Sequence, residues 1–473
     1  MINNLQIKNF KGWKDTGNIK LAPLTVLFGA NSSGKSSIGQ FLMLLKQSVE
    51  SSDRKSVFFT GNEDTAVDLG LPSDLVFNRN KKNEISFSYD WSLEKELKIE
   101  DSLHEKKYLA DRIRFSSNVK IAEDEGQNAE VREFEYRLWD ARRNRDIVVG
   151  LRKKEKNGNQ RKGYELLYEN YEFVRSRGRS WDITSPVRFY GFPDETLAYY
   201  QNADFLQTIN LFHERLFSSV YYLGPLRKQA KRLYTWMGRI PDSVGYLGEE
   251  AIPAILAAES ENRMINLKTR SRRKPFKVVI AEMLKKMSLV EDFKVERISE
   301  HRQDYDVKVR TKGSNNWVDI PDVGIGVSQV LPVIVELFYA PPGSVIIMEQ
   351  PELHLHPSAQ AGLADVVIDA IRAKENYENR GIQLLIETHS EHFLRRLQRR
   401  LAEENLKPEE FTAYFANNDV SPARLEKLQV DEYGNISNWP PDFFGDITGD
   451  IFAQTDAALE RRMRKGKNEQ KNN

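Results

Sequence analysis

Gly29-Ala30-Asn31-Ser32-Ser33-Gly34-Lys35-Ser36 has the glycine, lysine and hydroxyl spacing of a P-loop. Each residue type there serves phosphate binding. The glycines let the chain curl until successive backbone N–H groups point at phosphate oxygens. Lys35 would bring a positive charge to the β- and γ-phosphates, and the Ser36 hydroxyl would ligate Mg2+. Ser37 carries the motif into a helix whose positive end faces the same anion. Chance produces such a match in a chain of this length on the order of a few per cent of the time. Here the motif also sits between the apolar run Leu24–Phe28 and a helical pattern. A site for ATP and Mg2+ is therefore expected.

A P-loop needs a second strand whose carboxylate helps to hold the metal. Val345–Met348 is apolar and ends in Glu349, with Gln350 and Glu352 in the turn that follows. Glu349 is expected to hold Mg2+ directly or through water; the plainer alternative is an ordinary strand-end acid. Leu384-Leu385-Ile386-Glu387-Thr388-His389-Ser390 is another apolar strand, running to a histidine. A lone histidine is more often structural. After a P-loop and an acid-ended strand, His389 is expected to donate to the γ-phosphate and report its presence.

The elements that must position these residues are visible as period and composition. Residues before the P-loop alternate and then turn continuously apolar, as strands do, the last of them buried. Ile38, Phe41, Leu42, Leu44 and Leu45 recur at helical spacing, predicting a helix from Ser36 to about Ser51. From about Glu84 to Tyr190 the texture alternates with period two, as in EISFSYDW and EFEYRLWDA, and predicts antiparallel strands. Helical patterns return from about Glu195, broken by YYLGPLRKQ, and segment 276–290 also has helical spacing. FKVERISEHRQDYDVKVR predicts paired strands, and after Trp317 the order is helix, strand, helix, strand, helix. The expected division is 1–83, the N-terminal part of an ATPase head with the P-loop; 84–194, an inserted β-rich lobe; 195–290, a helical region; 291–420, the C-terminal part of the head; and 421–473, a C-terminal segment with a disordered tail. The fold class is α/β, a mixed sheet with flanking helices.

Charged residues are 29% of the 473 but balance to a net charge of +1, so no global field draws the chain to nucleic acid or membrane. There is no cysteine, which removes disulfides and thiolate sites and fits a reducing cytosol. The start lacks the apolar core of a signal peptide. The most apolar stretch, Val330–Met348, is broken by Glu336 and by Pro341-Pro342-Gly343, so no membrane span is expected. A cytoplasmic protein is expected.

Taken in order, NFKGW…LTVLFGANSSGKSS, YYLGPLR, DVGIGVSQVLP, IIMEQPELHLHP, IETHSEHFL and GNISNWPPDFF resemble an ABC-type ATPase head of the SMC/RecF class. The chain is similar to predicted ATPases related to the overcoming-lysogenization-defect proteins, one subset of which carries the last segment. The resemblance covers about residues 1–60 and 320–450. It implies two heads sandwiching two nucleotides, each P-loop facing the partner's signature motif. Asp322-Val323-Gly324-Ile325-Gly326-Val327-Ser328-Gln329 lies where that signature belongs, so Gly324 and Gly326 would offer backbone N–H groups to the partner's nucleotide; the plainer alternative is a glycine-rich turn before the helix at Gln329. The family's usual signature serine is replaced by Gly324. His356 falls at the D-loop position, near the opposing P-loop; it and His354 lack a nearby third ligand for a metal. Many relatives have a glutamate after the metal-binding acid, where this chain has Gln350. A glutamine can orient water but cannot accept its proton. Either Glu352 or another group supplies the base and hydrolysis is slow, or the site holds ATP until a partner binds.

The resemblance further implies self-association and, because no acid cluster after His389 suggests a nuclease, control of a separate effector protein in bacterial anti-phage defence. That effector could be a nuclease. Asp442, Asp446 and Asp450 are single acids in a loop-like stretch. Two rival classes stay open: a RecF-like DNA-binding repair ATPase and an ATP-dependent scaffold that never turns over. DNA contact, if any, would use the basic runs 268–274 or Arg395, Arg396, Arg399 and Arg400. Arg227 is open between phosphate and an interface.

Overall fold

The structure, a computed structural model, describes residues 1–101, 103–122, 128–140, 145–154, 163–178, 182–267, 272–417, 422–440, 443, 452–459 and 461. Asp442, Asp446, Asp450, part of the 268–274 run and nearly all of the expected tail lie outside the described residues.

At the centre is a six-stranded sheet ordered β10 (Val220–Leu223), β17 (Val345–Glu349), β20 (Gln383–Glu387), β4 (Leu24–Gly29), β21 (Phe411–Asn417), β22 (Arg424–Lys427). The first five are parallel and β22 is antiparallel. Strands buried on both faces are continuously apolar, and β4, β17 and β20 are buried at every position. Alternate side chains enter two cores: Val345 and Ile347 face one, Ile346 and Met348 the other.

The first core packs α1 (Lys35–Glu50) and α3 (Phe205–Ser218) against an eight-stranded antiparallel lobe. Its strands are β1 (Ile2–Phe10), β2 (Trp13–Asp15), β3 (Ile19–Lys20), β5 (Glu84–Asp101), β6 (Lys106–Ile121), β7 (Ala129–Asp140), β8 (Arg145–Lys153) and β9 (Tyr164–Glu169). The lobe thus takes in three strands from before the P-loop as well as those after Glu84. Its centre is aromatic. His213 lies fully buried with Tyr89 Oη on Nε2 (3.0 Å) and Tyr136 Oη on Nδ1 (2.8 Å). Burial holds its imidazole well below the usual range, so it stays neutral.

The second core lies under α4 (Ala251–Ser260), α5 (Phe276–Lys286), α6 (Ile325–Tyr339), α7 (Pro357–Arg372) and α8 (Glu391–Ala402). A short helix α2 (Asp194–Tyr199) belongs with the lobe. Two small sheets complete the chain. One joins β11 (Tyr234–Thr235), β14 (Asp292–Arg297), β15 (Asp304–Arg310) and β16 (Trp317–Asp319); the other joins β12 (Met264–Asn266), β13 (Lys274–Pro275), β18 (Lys374–Glu375) and β19 (Glu378–Asn379). The helix expected from Ser36, the hairpin across 292–310 and the helix–strand succession after Trp317 all form. The expected helix of 276–290 stops at Lys286, where Ser288 takes a positive φ of 59°. Among the described residues no helix is long and apolar enough to cross a membrane.

Candidate nucleotide site

Parallel strands deliver their carboxyl ends to one edge, where α/β sheets bind ligands. β4 ends at Gly29, and residues 30–34 curl into α1. Gly29 has φ 144°, and a Cβ there would meet the Ala416 carbonyl oxygen of β21 at 2.5 Å. Gly34 has φ 88°, and a Cβ would stand 3.1 Å from Trp13 Nε1, which donates to the Gly34 carbonyl (3.0 Å). Ala30, Asn31 and Ser32 are exposed at the tip; Ser33 is buried, and Ser36 and Ser37 are half-buried in the first turn of the helix. No side chain caps α1 and no acid sits in its first turn, which suits an anion. By contrast, His356 caps α7 and Ser390 caps α8. The helix is held instead by its apolar face, each fully buried large side chain contributing about 1.5–3 kcal/mol.

Lys35 is 3% exposed. Its Nζ donates to the carbonyls of Gly29 (3.0 Å) and Ala30 (2.6 Å) and lies 4.0 Å from Glu387 Oε1. Burial pulls its ammonium below the usual range, against the opposing pull of Glu387 and Glu352. The Ser36 hydroxyl donates to Glu387 Oε1 at 3.0 Å. Glu349 and Glu387 are paired in register at the ends of β17 and β20. Burial, then the neighbouring Glu387 charge, pushes the Glu349 carboxyl to about 7, although Tyr222 hydrogen-bonds it and Lys11 attracts it. Burial raises Glu387 as well. Glu349 Oε1, Glu352 Oε2 and Glu387 Oε2 are buried without a partner.

After Glu349 the chain turns sharply. Gln350 adopts φ 44°, its N–H donates to the Glu387 carbonyl (2.8 Å), and its side chain is half-buried. Glu352 Oε1 accepts the His389 N–H (2.9 Å), joining this turn to the one after β20. His389 is half-buried and hydrogen-bonds the Gly29 backbone, and burial, then Lys35, lower its imidazole. The P-loop, Glu349, Glu352 and His389 thus converge.

Gly324, Gly326 and His356 lie apart from those hydrogen bonds, at the starts of α6 and α7. Gly324 is exposed with open space around its Cα, and a Cβ on Gly326 would meet the His354 carbonyl at 3.0 Å. His354 and His356 are both exposed, and no group of three or more acid or histidine ligands surrounds a metal position among the described residues. A cation between Glu349, Glu387 and Ser36 would thus draw further ligands from phosphate and water. These hard oxygen donors suit Mg2+.

Glu387 and Trp13 carry no role assigned from the sequence, and Arg227 stands open there between phosphate and an interface. Glu387 has the same signal as Glu349, an acid closing a buried apolar strand. Trp13 stands 21 residues ahead of Gly34, and no spacing in NFKGW ties its indole to the loop. Arg227, 7% exposed, donates through Nη2 to the carbonyls of Glu349 (3.3 Å) and Gln350 (3.2 Å). Its Nε and Nη1 have no partner, and burial lowers its guanidinium to about 10.

The basic run on α8 is spent on ion pairs. Arg396 Nη1 and Arg400 Nε each reach the buried Asp365 of α7, at 2.5 and 2.6 Å, while Arg399 holds Glu403 and Arg395 holds Glu391.

The fold and the loop define a P-loop ATPase head of ABC type with an antiparallel lobe. The chain belongs to the family described as "AAA domain, putative AbiEii toxin, Type IV TA system", whose model matches residues 24–395. A second model, "Protein of unknown function (DUF3696)", matches residues 406–454. No curated protein matches the chain. Among solved structures, the SMC head domain from Thermotoga maritima overlaps 91% of this chain and 99% of its own at 10% identity and TM-score 0.37. The Smc head domain with an extended coiled coil from Pyrococcus furiosus, bound to the C-terminal domain of ScpA, overlaps 90% and 96% at 12% identity and TM-score 0.38. Overlaps this loose add nothing to what the strands and loops themselves define.

Proposed function

We propose that this chain binds ATP with Mg2+, hydrolyses it slowly or under a partner's control, and associates with a second copy around the nucleotide. Through that association it controls a separate effector protein in bacterial anti-phage defence. The observation that carries the reading is the meeting of Lys35, Ser36, Glu349 and His389 at the carboxyl ends of β4, β17 and β20. The toxin–antitoxin wording of the matched family supports a place in defence.

In this mechanism the loop amides of residues 29–37 and Lys35 cradle the phosphates, and Ser36 and Glu349 hold Mg2+. The cation, when bound, neutralises charge developing on the β- and γ-phosphates. His389 donates to the γ-phosphate. Gln350 orients water by hydrogen bonding. Glu352, whose second oxygen is unpaired, receives the proton. Gly324, Gly326 and His356, exposed or half-buried at two neighbouring helix starts, face the partner's nucleotide. Positioning and charge lower this barrier more than base strength does, so a glutamine at 350 fits slow turnover.

Phosphate release and binding of a fluorescent ATP analogue, with Lys35→Ala alongside, test the reading. Slow release that Lys35→Ala abolishes is expected, with a mass increase by light scattering in ATP but not ADP. ATP binding without any release would leave a scaffold, and equal ATP binding by Lys35→Ala would overturn the site.

A further inference from the structure

Resting on that nucleotide reading, the geometry points to a role for Glu387 that the P-loop pattern does not assign. The Ser36 hydroxyl touches Glu387, not Glu349. Because β17 and β20 are parallel and pair Glu349 with Glu387, the two side chains leave neighbouring strands on the same face of the sheet. They are 8% and 6% exposed, and each has one oxygen without a partner.

Positive charge around them is scarce. Lys35 lies 4.0 Å from Glu387, and the same ammonium is shared with two loop carbonyls. Lys11, the cation acting on Glu349, gives its hydrogen bond to Gln40. Arg227 points at backbone carbonyls. Two buried carboxylates side by side, with a serine hydroxyl between loop and strand, are short of a charge that a small divalent ion can supply.

We propose that Glu387 is the second carboxylate of the cation site, and that with Glu349 and Ser36 it holds a hard divalent cation of the Mg2+ or Mn2+ class brought in with the nucleotide. The competing role is a counter-ion that merely steadies Lys35. The two roles differ in what the cation does. A ligand makes nucleotide affinity depend on the cation; a counter-ion does not.

The test compares wild type, Glu387→Gln, Glu349→Gln and Lys35→Ala. Affinity for a fluorescent ATP analogue is measured in EDTA and in Mg2+. Mn2+ binding with a non-hydrolysable ATP analogue is followed by the electron paramagnetic resonance of free Mn2+. Glu387→Gln keeps a hydrogen-bond partner for Ser36 and is expected to bind nucleotide in EDTA at least as tightly as wild type. Its gain on adding Mg2+, and its Mn2+ affinity, should fall at least about tenfold, since even indirect supports of a metal are worth that much. A Mg2+ gain equal to wild type makes Glu387 a counter-ion and overturns the inference alone. If Lys35→Ala binds nucleotide as wild type does, the nucleotide reading itself fails. Should circular dichroism show Glu387→Gln unfolded, Glu387→Asp decides on the same readouts: a weakened Mn2+ affinity supports the role and an unchanged one ends it.

Discussion

Glu336 sits on α6, the helix that begins after Gly324, and is 1% exposed. Its Oε2 accepts the Val244 N–H at 3.0 Å, and its Oε1 is buried without a partner. Burial pushes the carboxyl from an ordinary 4.5 to about 7, more than the Val244 bond and the charge of Arg380 pull it back. Between those values the folded chain keeps a proton that the unfolded chain releases. The contribution of Glu336 to stability therefore falls as pH rises through this window and is least above pH 7. A rise of about 2.5 pH units at about 1.4 kcal/mol per unit costs about 3–4 kcal/mol. Glu336→Gln keeps the shape and the acceptor for Val244 but carries no charge to desolvate. It should match wild type within about 0.5 kcal/mol at pH 4.5 and exceed it by about 2–3 kcal/mol at pH 8. Urea unfolding of both proteins by far-UV circular dichroism at pH 4.5, 6 and 8 measures the difference. An offset that is the same at every pH, or a variant weaker at pH 8, would show that Arg380 satisfies the Glu336 charge and would refute the reasoning.

Three further expectations concern the site and its supports. Gln350→Glu places a proton acceptor beside the strand-end acid. A positioned base contributes about 10²–10⁴-fold, so phosphate release should rise at least about tenfold, and an unchanged rate would put residue 350 away from the attacking water. Trp13→Phe removes the indole N–H from the Gly34 carbonyl. It should cost about 1 kcal/mol in unfolding experiments and weaken ATP binding several-fold, as calorimetry will show. Arg400→Ala strips one partner from the buried Asp365 while Arg396 remains. With the arginine itself partly exposed, about 1–2 kcal/mol of stability should be lost, and salt-titrated DNA retention on filters should not change.

Much of the site was legible in the sequence because its parts are local patterns. The P-loop, the apolar runs ending at Glu349 and Glu387, and the helical spacing from Ile38 to Leu45 each follow from short-range geometry. What escaped depends on register between distant strands. That Glu349 stands opposite Glu387, so that the Ser36 hydroxyl reaches the latter, is set by parallel pairing of β17 with β20, which no periodicity encodes. The same holds for β1, whose Ile7 pairs with Phe87 and brings the strands before the loop into the lobe. Trp13 reaches Gly34 from β2, which pairs with β1 through Phe10 opposite Trp13. The end of α5 was missed for another reason: Lys285, Lys286 and Ser288 close the helix by a left-handed turn without glycine.

β21 has a practical consequence for anyone who wishes to express a smaller protein. It flanks β4 along its whole length, Phe411 opposite Leu24 through Ala416 opposite Gly29, and Phe443 lays its ring on Phe28 and Phe415. Yet the ATPase family match stops at 395, ahead of this strand. A fragment trimmed at that seam would leave β4, the strand that runs into the P-loop, as a raw sheet edge, open to zippering onto another molecule. Soluble fragments will need to run past Phe443, so the two family segments travel as one folding unit.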